Sequence, residues 1–181
     1  MSEIAETLRR IASLLEGSGI DYMLIGGYAL PSYGRIRTTL DIDIAVAIET
    51  EESFHDFCEE AKKENYSISM ASFQNPVWLL LDERTGYEIE AWKQPDGVEW
   101  DQETLDRRRR ITLSGVKLWI ISPEDFIVNK LARPDRSVID EQDVKSVLER
   151  KDTVLDWLYL ERRAKKSGVW ALLQTIKRNY E

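Results

Sequence analysis

Apolar residues recur at three- and four-residue spacing over residues 3–16. Ile4, Leu8, Ile11, Ala12 and Leu15 share a face, which predicts an amphipathic opening helix ended by Gly17 and Gly19. Residues 22–25 then read as a short buried strand, broken by Gly26-Gly27, and YALPSYG as a short helix or turn limited by Pro31. In DIDIAVAI the period changes to two. Ile42, Ile44, Val46 and Ile48 share one strand face, and Asp41, Asp43, Ala45 and Ala47 the other. Thr50 suits the N-cap of a helix to about residue 64, with Phe54, Phe57, Cys58 and Ala61 inward.

Residues 77–81 and 87–92 flank the turn DERTG and read as a hairpin. In its second strand Glu88, Glu90 and Trp92 point one way and Tyr87, Ile89 and Ala91 the other. Residues 101–110 read as helix, and ITLSGVKLWII as a second hairpin around Ser114-Gly115. From Ser122, followed by Pro123, Glu124 and Asp125, the pattern is helical, with further helices near 138–150, 152–166 and 168–178. This order predicts an α/β (α+β) fold: a small mixed sheet flanked by helices over residues 1–121, and a helical C-terminal part over residues 122–181.

Composition narrows the chemistry. With 43% hydrophobic and 32% charged residues, the 181-residue chain is neither collagen-like, disordered nor a disulfide scaffold. Cys58 and His55 are the sole residues of their types, which excludes an internal disulfide and disfavours Cys/His zinc sites and Ser-His or Cys-His triads. No apolar run reaches membrane-spanning length and MSEIAETLRR carries no apolar signal core, so a cytoplasmic, membrane-free protein is expected. The net charge of −8 is unevenly placed. Residues 1–100 hold 19 acids against 8 bases, a balance of −11, and residues 101–181 hold 14 against 17, a balance of +3. The acidic half disfavours nonspecific nucleic-acid binding and suits a site that collects divalent cations.

The candidate chemistry lies in GG, a 13-residue spacer (28–40), and DID. Paired glycines at a strand end let backbone N–H groups approach a phosphate, although such pairs also mark ordinary turns. Asp41 and Asp43 stand about 7 Å apart along one strand face. Their carboxylates repel unless a cation lies between them, a role suited to a hard divalent ion such as Mg²⁺. Glu90 or Glu88 on the neighbouring strand offers a third oxygen donor. A solvent-facing strand with surface ion pairs is the competing reading of the same acids.

Taken in order, LIGGYAL, RIRTTLDIDIAV, YEIEAW, RRRRITLSGVKLWIISPEDFIVNKLA and DEQDV resemble the nucleotidyltransferase superfamily of DNA polymerase β-like enzymes. The resemblance is closest to its minimal-nucleotidyltransferase and toxin–antitoxin branch and spans roughly residues 20–148. It implies that Gly26 and Gly27 hold the triphosphate of an NTP, and that Asp41, Asp43 and Glu90 bind Mg²⁺ or Mn²⁺. Glu90 would also help activate the acceptor hydroxyl, with Glu88 as its substitute. It further implies transfer of a nucleoside monophosphate to an acceptor, which is a protein, a tRNA or a small molecule, with release of pyrophosphate. Two positions depart from the pattern: Gly27 stands where serine is frequent, and Glu90 where aspartate is usual. They keep open a second reading, a catalytically decayed nucleotide-binding protein or toxin–antitoxin partner.

Arg35 and Arg37 precede the DxD strand, with Arg37 near enough in sequence to meet the nucleotide, and Lys130 resembles the family lysine that faces the cleft. The arginines at 107–110 read as solvated or acid-paired. Trp78, Trp92, Trp119, Trp157 and Trp170 read as core or interface, with Trp92 and Trp100 least settled, and permit a homo-oligomer.

Overall fold

The computed structural model describes residues 2–39 and 41–178. Leu40, the last residue of the spacer, lies outside them, as do Met1 and residues 179–181 at the two chain ends. The opening helix is α1 (Glu3–Gly17), capped by the Ser2 hydroxyl. It leads into β1 (Tyr22–Leu24), the one-turn helix α2 (Gly26–Ala29) and a 3-10 turn at Leu30–Ser32. Next come β2 (Ile42–Val46), α3 (Glu51–Lys63), β3 (Tyr66–Ser69), β4 (Val77–Asp82) and β5 (Glu88–Trp92). Thr50 and Ser53 form a reciprocal capping box at the head of α3, so two free backbone donors are satisfied at once. α4 (Gln102–Arg107), β6 (Arg109–Leu113) and β7 (Val116–Ile120) follow, then α5 (Pro123–Ala132), α6 (Val138–Glu149), α7 (Trp157–Lys166) and α8 (Trp170–Arg178).

The strands form one mixed sheet in the order β3-β4-β5-β2-β1-β7-β6. β1 and β2 run antiparallel, whereas β2 and β5 run parallel. Apolar alternation places Ile42, Ile44 and Val46 of β2, with Trp78 and Leu80 of β4, in the core. On that face Phe54 of α3 stacks on Trp78 at 4.4 Å between ring centroids, and Arg10 of α1 donates to the buried Asp82 of β4 at 2.9 Å. The other helices pack among themselves, α5 against α6 and α7, with α8 closing on α6 and α7. α5 is buried from Pro123 to Leu131 and carries four polar residues inward, Glu124, Asp125, Asn129 and Lys130. Such residues are tolerated only where partners meet them: Asp125 accepts from the Tyr159 hydroxyl at 2.8 Å, and Asn129 donates to the Asp96 carbonyl at 3.0 Å.

Three expectations need correction. The helix read over 101–110 stops at Arg107, because Arg108 is extended and Arg109 and Arg110 pair with Ile120 and Trp119 in the β6–β7 ladder. Three of those arginines are acid-paired as expected, to Asp156, Asp21 and Glu16. The helix read from 152 begins at Trp157, because the Asp156 carboxylate accepts from the Tyr159 N–H and fixes the N-cap there. β3 carries no legible sequence signal; its YSIS is stabilised by pairing with β4, Tyr66 opposite Asp82.

Candidate functional site

Antiparallel pairing of β1 with β2 delivers the glycine pair to the start of the DxD strand, and the Ile25 N–H donates to the Asp43 carbonyl at 2.9 Å. Gly26 has a φ of +63°, a left-handed conformation that suits glycine. A Cβ there would overlap the Asp43 carboxylate oxygen Oδ2 and sit 2.7 Å from its Cγ. The missing side chain is the space in which Asp43 stands. Gly27 is buried too, and a Cβ on it would lie 2.7 Å from the Thr39 Cβ and Oγ1. Thr39 therefore fills the volume that a serine at position 27 would need, which gives the departure at Gly27 a packing cause.

Parallel pairing sets Asp43 directly beside Glu90, on strands about 4.8 Å apart. Glu88 is exposed and precedes the first β2–β5 pair, Ile42 with Ile89. Asp41 is exposed just ahead of β2. Burial raises the carboxyl pKa of Asp43 above the ordinary range, opposed by the Lys130 and Arg133 charges. Glu90 is raised by burial first and then by the negative charges of Asp43 and Asp41. The Trp92 indole N–H stands near both carboxylates, yet is buried without a completed hydrogen bond. An orphaned donor of this kind marks a place where an acceptor is wanted.

These donors fit a divalent cation in their chemistry: hard oxygens only, with burial raising the pKa of Asp43 and Glu90 so that positive charge beside them would be favourable. They are not a ready-made cage. Among the described residues no three His, Cys, Asp or Glu side chains are gathered into a ligand cluster.

Gly26, Asp43 and Lys130 line one small cavity of about 30 Å³ together with Trp92, Asn129 and Arg133. Gly27, Asp41, Glu90 and Arg37 do not line it. Lys130 is 3% exposed, with its ammonium 3.0 Å from Asp140 and 3.6 Å from Asp143 of α6. Arg35 and Arg37 reach the same fully buried Asp143 at 2.8 and 3.2 Å. Arg37 thus meets Lys130 on an α6 carboxylate instead of entering the cavity. Sequence reasoning missed Asn129 and Arg133. The available signal was a polar residue and two cations, Asn129, Lys130 and Arg133, interrupting an apolar helix end, with Arg133 three positions beyond Lys130. The remaining aromatics separate clearly: Trp78 is core, and Trp157 is partly exposed beneath Lys177 at 4.4 Å.

Residues 4–168 match a family model described as nucleotidyl transferase of unknown function (DUF2204). No curated protein matches the sequence. Among solved structures, the chain is similar to the solution structure of the antibiotic-resistance factor ANT(2'')-Ia: 14% identity, 97% of each chain covered, TM-score 0.60. It is also similar to an antigenic nucleotidyltransferase-like protein from Paracoccidioides brasiliensis, at 18% identity over 95% of this chain and 91% of that one, TM-score 0.56. A third is the lincosamide antibiotic adenylyltransferase LnuA with lincomycin bound, at 18% identity over 80% and 96%, TM-score 0.54. At these identities the likeness is one of fold. No helix among the described residues is long and apolar enough to cross a membrane.

Proposed function

Because the chain belongs to the family of nucleotidyl transferases of unknown function that its residues 4–168 match, we propose that it moves a nucleoside monophosphate from an NTP to a hydroxyl acceptor and releases pyrophosphate. The observation that carries this reading is the side-by-side register of Asp43 and Glu90 beneath a glycine whose missing Cβ makes room for the carboxylate. Asp41, Asp43 and Glu90 would hold Mg²⁺ or Mn²⁺, which when bound supplies positive charge to the phosphate oxygens. Gly26 and Gly27 present backbone N–H groups to the triphosphate. Glu90, with its proton affinity raised by burial and by its acidic neighbours, accepts the acceptor's hydroxyl proton. The new bond joins that oxygen to the α-phosphorus, the bond from the α-phosphorus to the bridging oxygen breaks, and the electron pair leaves with pyrophosphate. The chain's contribution is position and charge.

For the acceptor, a small molecule is favoured over protein or tRNA. This choice is supported by the lincosamide antibiotic adenylyltransferase with lincomycin bound, which shares this fold.

The test is incubation with each α-labelled NTP and Mg²⁺ or Mn²⁺, offering a panel of hydroxyl-bearing small molecules, total tRNA and lysate protein, with Asp43→Ala as the control. Label transfer that Asp43→Ala abolishes supports the reading. Equal NTP turnover by both proteins refutes it, and transfer confined to tRNA or protein refutes the choice of acceptor. Nucleotide binding without pyrophosphate release across the whole panel favours the decayed, regulatory reading.

A further inference from the structure

Two cations, Lys130 and Arg133, line the cavity beside Asp43, and two more, Arg35 and Arg37, stand in the loop before β2. Three of them are committed. Arg35, Arg37 and Lys130 converge on Asp143, fully buried on α6, and Lys130 is held again by the buried Asp140. Removing the carboxylate they share would leave three cations without their buried anion, so Asp143 holds the loop before β2 and the end of α5 in place.

Arg133 is different. It caps the C-terminus of α5 and lines the cavity that Asp43 opens into. Its fork is paired to Asp135, two residues on, through two bonds of 3.1 Å, and the Asp135 side chain is 73% exposed. Its nearest buried partner, Asp140, stands off at 3.8 Å. An exposed pair of this kind is weak and easily exchanged for a better anion. The cavity space of about 30 Å³ is about one water's worth, and Arg133 forms part of its wall. Trp92 lines the same cavity, with its buried indole N–H beside Asp43 and Glu90.

We propose that Arg133 is the mobile cation of the site, parked on Asp135 in the free protein and exchanged onto the pyrophosphate portion of the donor when that anion enters beside Asp43, with Lys130 acting as a positioning residue. This rests on the nucleotidyl-transfer reading above. The exchange involves no covalent step: Asp135 is released to solvent, and the guanidinium fork takes two phosphate oxygens in the bidentate geometry that arginine favours.

The test is calorimetric titration of the protein with inorganic pyrophosphate in the presence of Mg²⁺, with KM for the NTP donor measured alongside. Arg133→Gln should weaken pyrophosphate binding about tenfold and raise donor KM more than it lowers kcat. Arg133→Lys should restore part of the loss. Asp135→Asn, which frees the arginine, should tighten binding about threefold. In the Arg133→Gln background Asp135→Asn should give no gain, which separates release of the arginine from the mere removal of a negative charge; an equal gain there overturns the proposal. Wild-type affinity in both Arg133→Gln and Asp135→Asn overturns the proposal, as does weakening in both. A wild-type protein that neither binds pyrophosphate nor turns over any NTP overturns the nucleotidyl-transfer reading together with it. Turnover with an indifferent Arg133 overturns this inference alone.

Discussion

Replacing Gly26 with alanine separates two effects that glycine serves at once. The first is backbone: at φ +63° an alanine costs about 1–2 kcal/mol, a fall of roughly 2–8 °C in Tm for a domain of this size. The second is local. The added Cβ would occupy the place of the Asp43 carboxylate oxygen and lie 2.7 Å from its Cγ, inside the 3.0 Å that real Cβ contacts respect. The carboxylate must retreat by about 1 Å, a displacement that can cost on the order of a hundredfold in rate. Gly19 provides the matched control, with a φ of +67° and nothing within 4 Å of an added Cβ. Gly19→Ala should therefore melt early by a similar amount and keep its activity, while Gly26→Ala melts early and loses about a hundredfold in pyrophosphate release. Thermal melts followed by circular dichroism, with a coupled pyrophosphate assay on the same preparations, decide it. If Gly26→Ala turns over within threefold of Gly19→Ala, the glycine is not making room for a catalytic carboxylate and the reasoning fails.

Two further outcomes are expected. Because burial raises the Asp43 carboxyl pKa in the folded chain, the unfolded chain loses that proton first as pH rises, so the penalty on folding builds from the unfolded value upward and is complete once pH has passed the folded value. Asp43→Asn should accordingly abolish turnover yet melt at or above the wild-type temperature at pH 7, the gap closing toward pH 3–4; added Mg²⁺ should raise the melting temperature of wild type more than that of the variant. Asp143→Asn leaves Arg35, Arg37 and Lys130 without their shared buried anion and should cost about 3–5 kcal/mol in urea unfolding. Arg35→Gln, at a half-exposed position with the other two pairs intact, should cost about 1 kcal/mol or less.

The parts of this site legible in the sequence are those whose signal is local. A glycine pair ending an apolar run, acids alternating with isoleucines, and Ser122-Pro123 heading a helix each declare a backbone state within a few residues, and β1, β2 and the start of α5 stand where those signals put them. Alternation in β5 likewise left Glu88 and Glu90 on one face, but only the parallel register with β2 distinguishes them, and that register joins residues almost fifty positions apart. The cations were illegible for the same reason. Arg37 reads as a phosphate ligand because it stands just ahead of the DxD strand, and Lys130 because it resembles the family lysine that faces the cleft, while their shared partner Asp143 is supplied by α6, 106 residues beyond Arg37. Arginines 109 and 110 misled in the opposite direction: beside a capped helix they continue its pattern, and their place in β6 is fixed by a ladder to β7.

The charge asymmetry of the chain takes its meaning from this long-range assembly. On the proposed assignment the acidic half contributes Asp41, Asp43 and Glu90 from adjoining strand positions, and the more basic half contributes Lys130 and Arg133 from one helix end. Neither set is neutralised by the other: the Lys130 and Arg133 charges lower the Asp43 pKa, yet burial still leaves it raised, and Lys130 is already committed to α6. On the proposed reading, with a buried carboxylate on one wall and an exchangeable arginine on the other, the site has no stable use for a purely cationic or a purely anionic ligand. A divalent cation alone would leave Arg133 on Asp135, and a bare phosphate would face the Asp43 carboxylate. A metal-complexed polyphosphate satisfies both walls at once, so pyrophosphate affinity should rise steeply with Mg²⁺ and fall away without it, a dependence that Asp43→Asn removes and Asp135→Asn preserves.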